Sequence, residues 1–156
     1  TEVTEDNDEK DGANYYTLEY DKNGYLQRIE QRYSYNESRV RVSECTWRDG
    51  NLVEAKCTDY NEDGTDITTV KYSYSKTTTP INIDLFYIDG GYIDVLEPLD
   101  LLGFYGRQSA KLPNKADITY SGESESESDD FGVYTLNGDG TVARIDCGSV
   151  SYELIY

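Results

Sequence analysis

Apolar and polar residues alternate with a period of two through much of this chain. Across 25–35 one side carries Tyr25, Gln27, Ile29, Gln31, Tyr33 and Tyr35, with no formal charge, and the other carries Leu26, Arg28, Glu30, Arg32 and Ser34. Across 51–60, Val53, Ala55 and Cys57 oppose Glu54 and Lys56. Successive strand side chains point to opposite faces, so this alternation predicts β-strands with one packed and one wet face. Leu26 and Ile29 fall on opposite sides, which calls for a bulge or for apolar surface on the wet face.

Turn signals punctuate the alternation at intervals of 12 to 14 residues: Asp11-Gly12, Asn23-Gly24, Asn36-Glu-Ser38, Asp49-Gly50, Asp63-Gly64, 76–79 and Asp89-Gly90. Gly24 and Gly50 suit the positive-φ position of a three-residue hairpin loop with a bulge. Strands of roughly 9–10 residues remain between turns, long against a mode of about 5–6. The predicted fold is all-β: an antiparallel meander of about ten long strands curled into a partial or closed soluble barrel. An outer-membrane barrel does not fit, because one face of each strand is charged and the other too polar for lipid.

After Gly91 the rhythm loosens. A short strand is expected at 92–95, and the Pro98 and Gly103 punctuation predicts one short helical segment near 97–102, placed to plug an end of the sheet. Residues 122–130, a Glu/Ser/Asp run, read as a mobile acidic loop, and 1–12 as an acidic flexible N-terminal segment. Residues 13–156 then form a single β domain. Two strands flank the turn at 137–140, and 150–156 closes the chain.

Charge sharpens this picture. The formal net charge is −17, with 31 acidic residues. Eleven of those acids lie within 1–12 and 123–130, which leaves the body only moderately acidic. No basic stripe exists to neutralise phosphates, so nucleic acid is not an expected partner. With no Met and no apolar stretch of about 18 residues, the chain reads as a processed or trimmed product whose membrane contact would be through a lipid anchor not present in it. Histidine is absent, which excludes Ser-His-Asp and Cys-His catalysis and His-ligated zinc. Cys45, Cys57 and Cys147 lack metal spacing and read as buried thiols. A loop bulged at Gly50 would set Cys45 opposite Val53, too far from Cys57 to bridge, so a bridge from Cys147 is the alternative. Asp59-Tyr-Asn61-Glu-Asp63-Gly64 opens like a calcium loop, but Val70 stands where the closing Glu belongs, and an ordinary hairpin demands the same residues. No metal or cofactor is expected. Paired carboxylates for hydrolysis would be sought first among Asp84, Asp89, Asp94 and Glu97, where the pattern breaks.

The positive binding signal is aromatic. Sixteen Tyr and one Trp exceed what a core of this size needs, and flat rings on a long sheet make platforms for a glycan or an extended peptide. Trp47, Tyr33, Tyr35, Tyr72 and Tyr74 are the candidate ligand-binding residues, their burial inside the sheet being the alternative. The expected function is a non-enzymatic binding or structural module.

Several motifs resemble known groups. The unit over 18–29, repeated weakly at 60–67, looks like a degenerate YD repeat. Trp47-Arg-Asp-Gly-Asn-Leu52, Tyr72-Ser-Tyr74, the Ser109-Ala-Lys-Leu-Pro113 ending of 103–113 and Tyr134-Thr-Leu-Asn-Gly-Asp-Gly-Thr-Val142 together resemble, across 15–156, a family of secreted Bacteroidetes lipoproteins with a porin-like domain of unknown function. That resemblance implies a curved-sheet protein of the cell envelope, secreted or anchored at the outer-membrane surface. It brings no catalytic residues, and the lipid-bearing N-terminal Cys such proteins have is not in this chain.

Overall fold

A computed structural model describes residues 2–5, 14–33, 38–78, 106–107, 109–130, 133–147 and 150–155. Eleven strands are found among them: β1 (Glu2–Glu5), β2 (Asn14–Tyr20), β3 (Leu26–Tyr33), β4 (Arg39–Arg48), β5 (Asn51–Asn61), β6 (Gly64–Thr78), β7 (Lys111–Tyr120), β8 (Ser126–Asp130), β9 (Val133–Leu136), β10 (Val142–Cys147) and β11 (Val150–Glu153). The first eight form one sheet in sequence order, and β11, β10 and β9 form a second, three-stranded sheet. Every pairing is antiparallel. The fold is thus the expected all-β meander, with the last three strands set apart from it. The helical segment expected near 97–102, the strand at 92–95, and Asp84, Asp89, Asp94 and Glu97 lie outside the described residues.

Turn chemistry sets the register. Asp21 N–H donates to Tyr25 O at 2.9 Å, Gly24 N–H donates to Asp21 O at 3.0 Å, and Gly24 takes φ 86°. The Asp21 carboxylate adds bonds from the Asn23 and Tyr25 amides. This is the three-residue loop expected from Asn23-Gly24. Asn137 and Gly140 repeat it, with Asn137 N–H on Thr141 O at 2.8 Å and Gly140 at φ 88°. The Asp49-Gly50 turn differs. Arg48 pairs with Asn51, and Asp49 and Gly50 both take positive φ, the signature of a two-residue hairpin loop. That turn, together with a bulge at Val53, sets Cys45 opposite Ala55, not Val53.

Bulges decide which residues go inside. Opposite the step from Glu19 to Tyr20, the partner changes from Arg28 to Leu26. Gln27 is the extra residue, and both Leu26 and Ile29 become buried. The step from Thr46 to Trp47 likewise moves from Glu54 to Leu52. Val53 is the extra residue there, so Leu52, at 0 % exposure, takes the core place that simple alternation gives to Val53.

The main core lines one face of the large sheet. It runs through Tyr16, Leu18, Leu26, Ile29, Cys45, Leu52, Ala55, Val70, Tyr72, Ala116 and Ile118. A second cluster, Leu112 with Val142 and Ile145, joins β7 to β10. Tyr134 packs against both clusters and donates to Pro113 O at 2.5 Å. Arg107 and Ala110 tie two turns together at one end of the sheet. Arg107 N–H bonds Gly24 O and Ala110 N–H bonds Gly50 O, each at 2.9 Å. Gly106 is required here, since a Cβ would stand 2.5 Å from Gly24 O.

Two acidic stretches expected to be unstructured contain strands. Glu2–Glu5 pairs with β2, and Ser126–Asp130 pairs with β7 from Lys115↔Asp130 to Thr119↔Ser126. Both lie at edges of the sheet order, where inter-strand backbone bonds fix the chain and one side stays open to solvate charge.

Candidate functional site

The sheet offers two faces, and the aromatic residues divide between them. Four of the five candidates lie in the register of the inner face. Trp47 is half-buried: its indole N–H donates to Leu26 O at 2.7 Å, and its ring meets Tyr25 at 4.7 Å and 36°. The Arg107 guanidinium lies 5.6 Å over Tyr25. Tyr72 belongs to the main core. Tyr74 packs against that core, and its hydroxyl donates to Leu52 O at 2.6 Å and lies 3.0 Å from Ser109 Oγ. Burial pushes its phenol up to about 12, against the smaller opposing pull of those two hydrogen bonds. Tyr33, half-buried, stands at the other end of β3 from Trp47, across from Asn14. Tyr35 lies outside the described residues. The structure thus brings Trp47, Tyr72 and Tyr74 together around the core, with Tyr33 apart.

The outer face carries a different constellation. Glu30 points there from the middle of β3 and is 5 % exposed. Its carboxylate receives Arg28, Arg32 (Nε at 2.5 Å) and Arg39 (Nε at 3.0 Å). Burial alone would raise the Glu30 carboxyl, but hydrogen bonds from Arg28, Arg39 and Arg32 and the Arg28 charge outweigh it and hold it below its ordinary value. The Glu30 bond in turn raises Arg39, with a smaller contribution from Tyr60.

Register turns this cluster into a row. Tyr15 on β2 faces Arg32 on β3, and Arg32 faces Arg39 on β4. The Tyr60 side chain on β5 lies within electrostatic reach of Arg39 and raises it by less than Glu30 does. Two guanidiniums thus lie between two phenol rings, spanning three strand spacings, or roughly 14 Å. Tyr15 and Tyr60 are both exposed, and the Arg32 and Arg39 side chains are 42 % and 47 % exposed. A bulge makes the row possible: pairing steps from Gln31↔Arg41 to Arg32↔Arg39, with Val40 the extra residue. Sequence reasoning placed Arg28, Glu30 and Arg32 on one wet face but missed Tyr15, Arg39 and Tyr60. Hairpin register was the signal that links them.

The remaining candidates are structural. Asp59 pairs with Arg41 at 2.5 Å, and Asn61 faces Gly64 while donating to Asp66 at 2.7 Å, so the calcium-like stretch closes a hairpin. Cys45 and Cys57 are buried, reduced thiols two residues out of register. The Cys147 side chain lies outside the described residues.

No protein-family profile and no curated protein matches the chain. Solved structures do. A porin-like protein from Bacteroides uniformis matches with a TM-score of 0.61 at 18 % identity, over 93 % of this chain and 55 % of its own. A porin-like protein from Bacteroides vulgatus matches with a TM-score of 0.59 at 14 % identity, over 85 % of this chain and 58 % of its own. The chain is therefore similar in fold to porin-like proteins of Bacteroides, and it spans about half the length of those structures.

Proposed function

We propose that this chain is a non-enzymatic binding module of the cell envelope, holding an extended polymer on the outer face of β2–β5. The observation that carries this reading is the row Tyr15–Arg32–Arg39–Tyr60, with its rings exposed and its cations fixed by a buried carboxylate. Exposed rings give contact area at low entropy cost. The inner-face rings have another role, since Trp47 and Tyr74 bond backbone carbonyls and Tyr72 fills the core. A core drawn from β2 through β7 on a single sheet face supports curling of that sheet with the core inside. The porin-like fold likeness supports an envelope location and a partial or closed barrel.

A glycan and peptide array probed with the purified chain tests the reading. We expect hits that weaken at least tenfold in the Tyr15→Ala/Tyr60→Ala double variant and persist in Tyr33→Ala. A blank array, or hits lost with Tyr33 and kept without Tyr15 and Tyr60, would refute it.

A further inference from the structure

We propose that Asn137 is a site of spontaneous modification: in the folded protein its side-chain amide is converted to an acid, with water as the co-reactant. This inference is independent of the outer-face reading above.

The chemistry belongs to the Asn-Gly step. The glycine backbone nitrogen attacks the asparagine Cγ, and the new N–C bond closes a succinimide ring. The Cγ–Nδ2 bond breaks, and Nδ2 leaves as ammonia with the proton that the glycine nitrogen gives up. Water then opens the ring. Addition at Cγ gives aspartate, and addition at the backbone carbonyl carbon gives isoaspartate, whose main chain runs through Cβ. Glycine favours the attack because no Cβ crowds its nitrogen. An amide whose proton is held in a hydrogen bond is slower to react, since that bond must first be lost.

The chain has two such steps, Asn23-Gly24 and Asn137-Gly138, and the fold treats their nucleophiles differently. Gly24 N–H donates to Asp21 O at 3.0 Å, and Gly24 O accepts from Arg107 N–H at 2.9 Å, so Gly24 is fixed at both its N–H and its C=O. At the other step Asn137 and Gly138 are both exposed. The loop is closed by bonds from Asn137 N–H and Gly140 N–H that pass over Gly138, and among the described residues the Gly138 N–H makes no hydrogen bond. The two asparagine side chains are held alike, Asn23 Nδ2 by Asp21 Oδ2 at 3.2 Å and Asn137 Nδ2 by Thr141 Oγ1 at 2.8 Å. The glycine amide is what separates the sites.

Conversion would be felt in the smaller sheet. Buried Thr141 accepts from Asn137 and donates from Oγ1 to Asp139 Oδ1 at 2.8 Å. An ionised acid at 137 has no proton to donate, and it sets a second carboxylate beside a hydroxyl already committed to Asp139. Isoaspartate also lengthens the main chain within the loop. That loop joins β9 to β10, which carries Val142 and Ile145 of the second core cluster.

The experiment is incubation of the intact folded protein at mildly alkaline pH and physiological temperature, followed by peptide mapping with mass spectrometry. We expect Asn137 to convert roughly tenfold faster than Asn23, and the two to convert at comparable rates in urea, where neither glycine amide is bonded. Gly138 has open space where a Cβ would stand and no positive φ, so Gly138→Ala should keep the fold. That variant should slow Asn137 roughly tenfold by crowding the attacking nitrogen, and leave Asn23 unchanged. In Asn137→Asp, hydrogen exchange of the Gly140 amide should quicken. Equal rates at the two sites in the folded protein, a preference for Asn137 that persists undiminished in urea, or an indifferent Gly138→Ala overturns the proposal. Unchanged Gly140 exchange in Asn137→Asp overturns its effect on the loop.

Discussion

Truncating Leu52 and Val53 separately tests the bulge that organises β4 and β5. Simple alternation puts Val53 inside with Ala55 and Cys57, whereas the structure buries Leu52 fully and leaves Val53 half-buried. Leu52→Ala should cost about 3–5 kcal/mol, the lost transfer free energy plus a cavity in a well-packed site. The backbone bonds there, Leu52 N–H to Ser109 and Tyr74 hydroxyl to Leu52 O, do not involve the deleted atoms. Val53→Ala removes two half-buried methyl groups, at about 0.8 kcal/mol per fully buried carbon, and should cost about 0.5–1 kcal/mol. For a chain of this size, about 2–4 °C per kcal/mol puts the midpoint losses near 6–20 °C and under about 4 °C. Urea unfolding followed by Trp47 emission gives both values, with equal slopes licensing the comparison. Trp47 is the sole tryptophan and the cross-strand partner of Leu52, so its emission also reports the packing change directly. A Val53→Ala cost equal to or above that of Leu52→Ala would mean that no bulge exists and that the inner face has the other parity.

Other outcomes follow from the same geometry. Gly106→Ala would set a Cβ 2.5 Å from Gly24 O at φ +73°, so the tie between the turns should loosen at a cost of about 1–3 kcal/mol. Faster hydrogen exchange of the Arg107 and Ala110 amides should report it, and unchanged exchange would count against the tie. Burial pushes the Cys45 thiol up to about 12, and Cys57 is buried beside it. In a Cys147→Ser background, Ellman's reagent at pH 8 should label neither thiol until the protein is unfolded. The Glu30 carboxyl is held low in the folded state, so its stabilising effect is complete above its unfolded value of about 4.3 and fades as pH falls through the folded value. Glu30→Gln should lose about 1–2 kcal/mol at pH 7, less than a fully buried pair because the guanidiniums are a quarter to a half exposed, and the gap from the parent should close on acidification. A gap constant down to pH 2 would show that charge is not what Glu30 contributes.

What the sequence made legible was whatever short-range chemistry decides. Asn23-Gly24 and Asn137–Gly140 specify their loops because one glycine must take positive φ and an Asx side chain can cap the turn. The broken parity of Leu26 and Ile29 announced a bulge for a similarly local reason. The Val53 bulge left no such mark, because Leu52 and Val53 are both apolar and either fits the core. The acidic strands were misread because composition measures what a segment can bury, while an edge strand is held by backbone bonds to a neighbour it does not choose. Glu127 faces Ile118 across such a pairing. Nothing within 123–130 shows that Ile118 will be there.

The site was hidden for a related reason. Alternation assigns residues to the faces of one strand, but the row Tyr15–Arg32–Arg39–Tyr60 crosses strands and depends on register between them. Arg39 shares parity with Arg41, and by simple alternation both would join the inner face. Slippage at Val40 separates them: Arg41 pairs with Asp59, and Arg39 reaches Glu30. The same register bears on net charge. Four strand spacings, roughly 19 Å, separate β4 from the acidic β8. That is beyond the screening length of about 8 Å at physiological salt. The charges of β8 are therefore largely screened at Arg32, Arg39 and Glu30. The total of −17 therefore describes the molecule's solubility and long-range field, not the local balance of charge around Glu30.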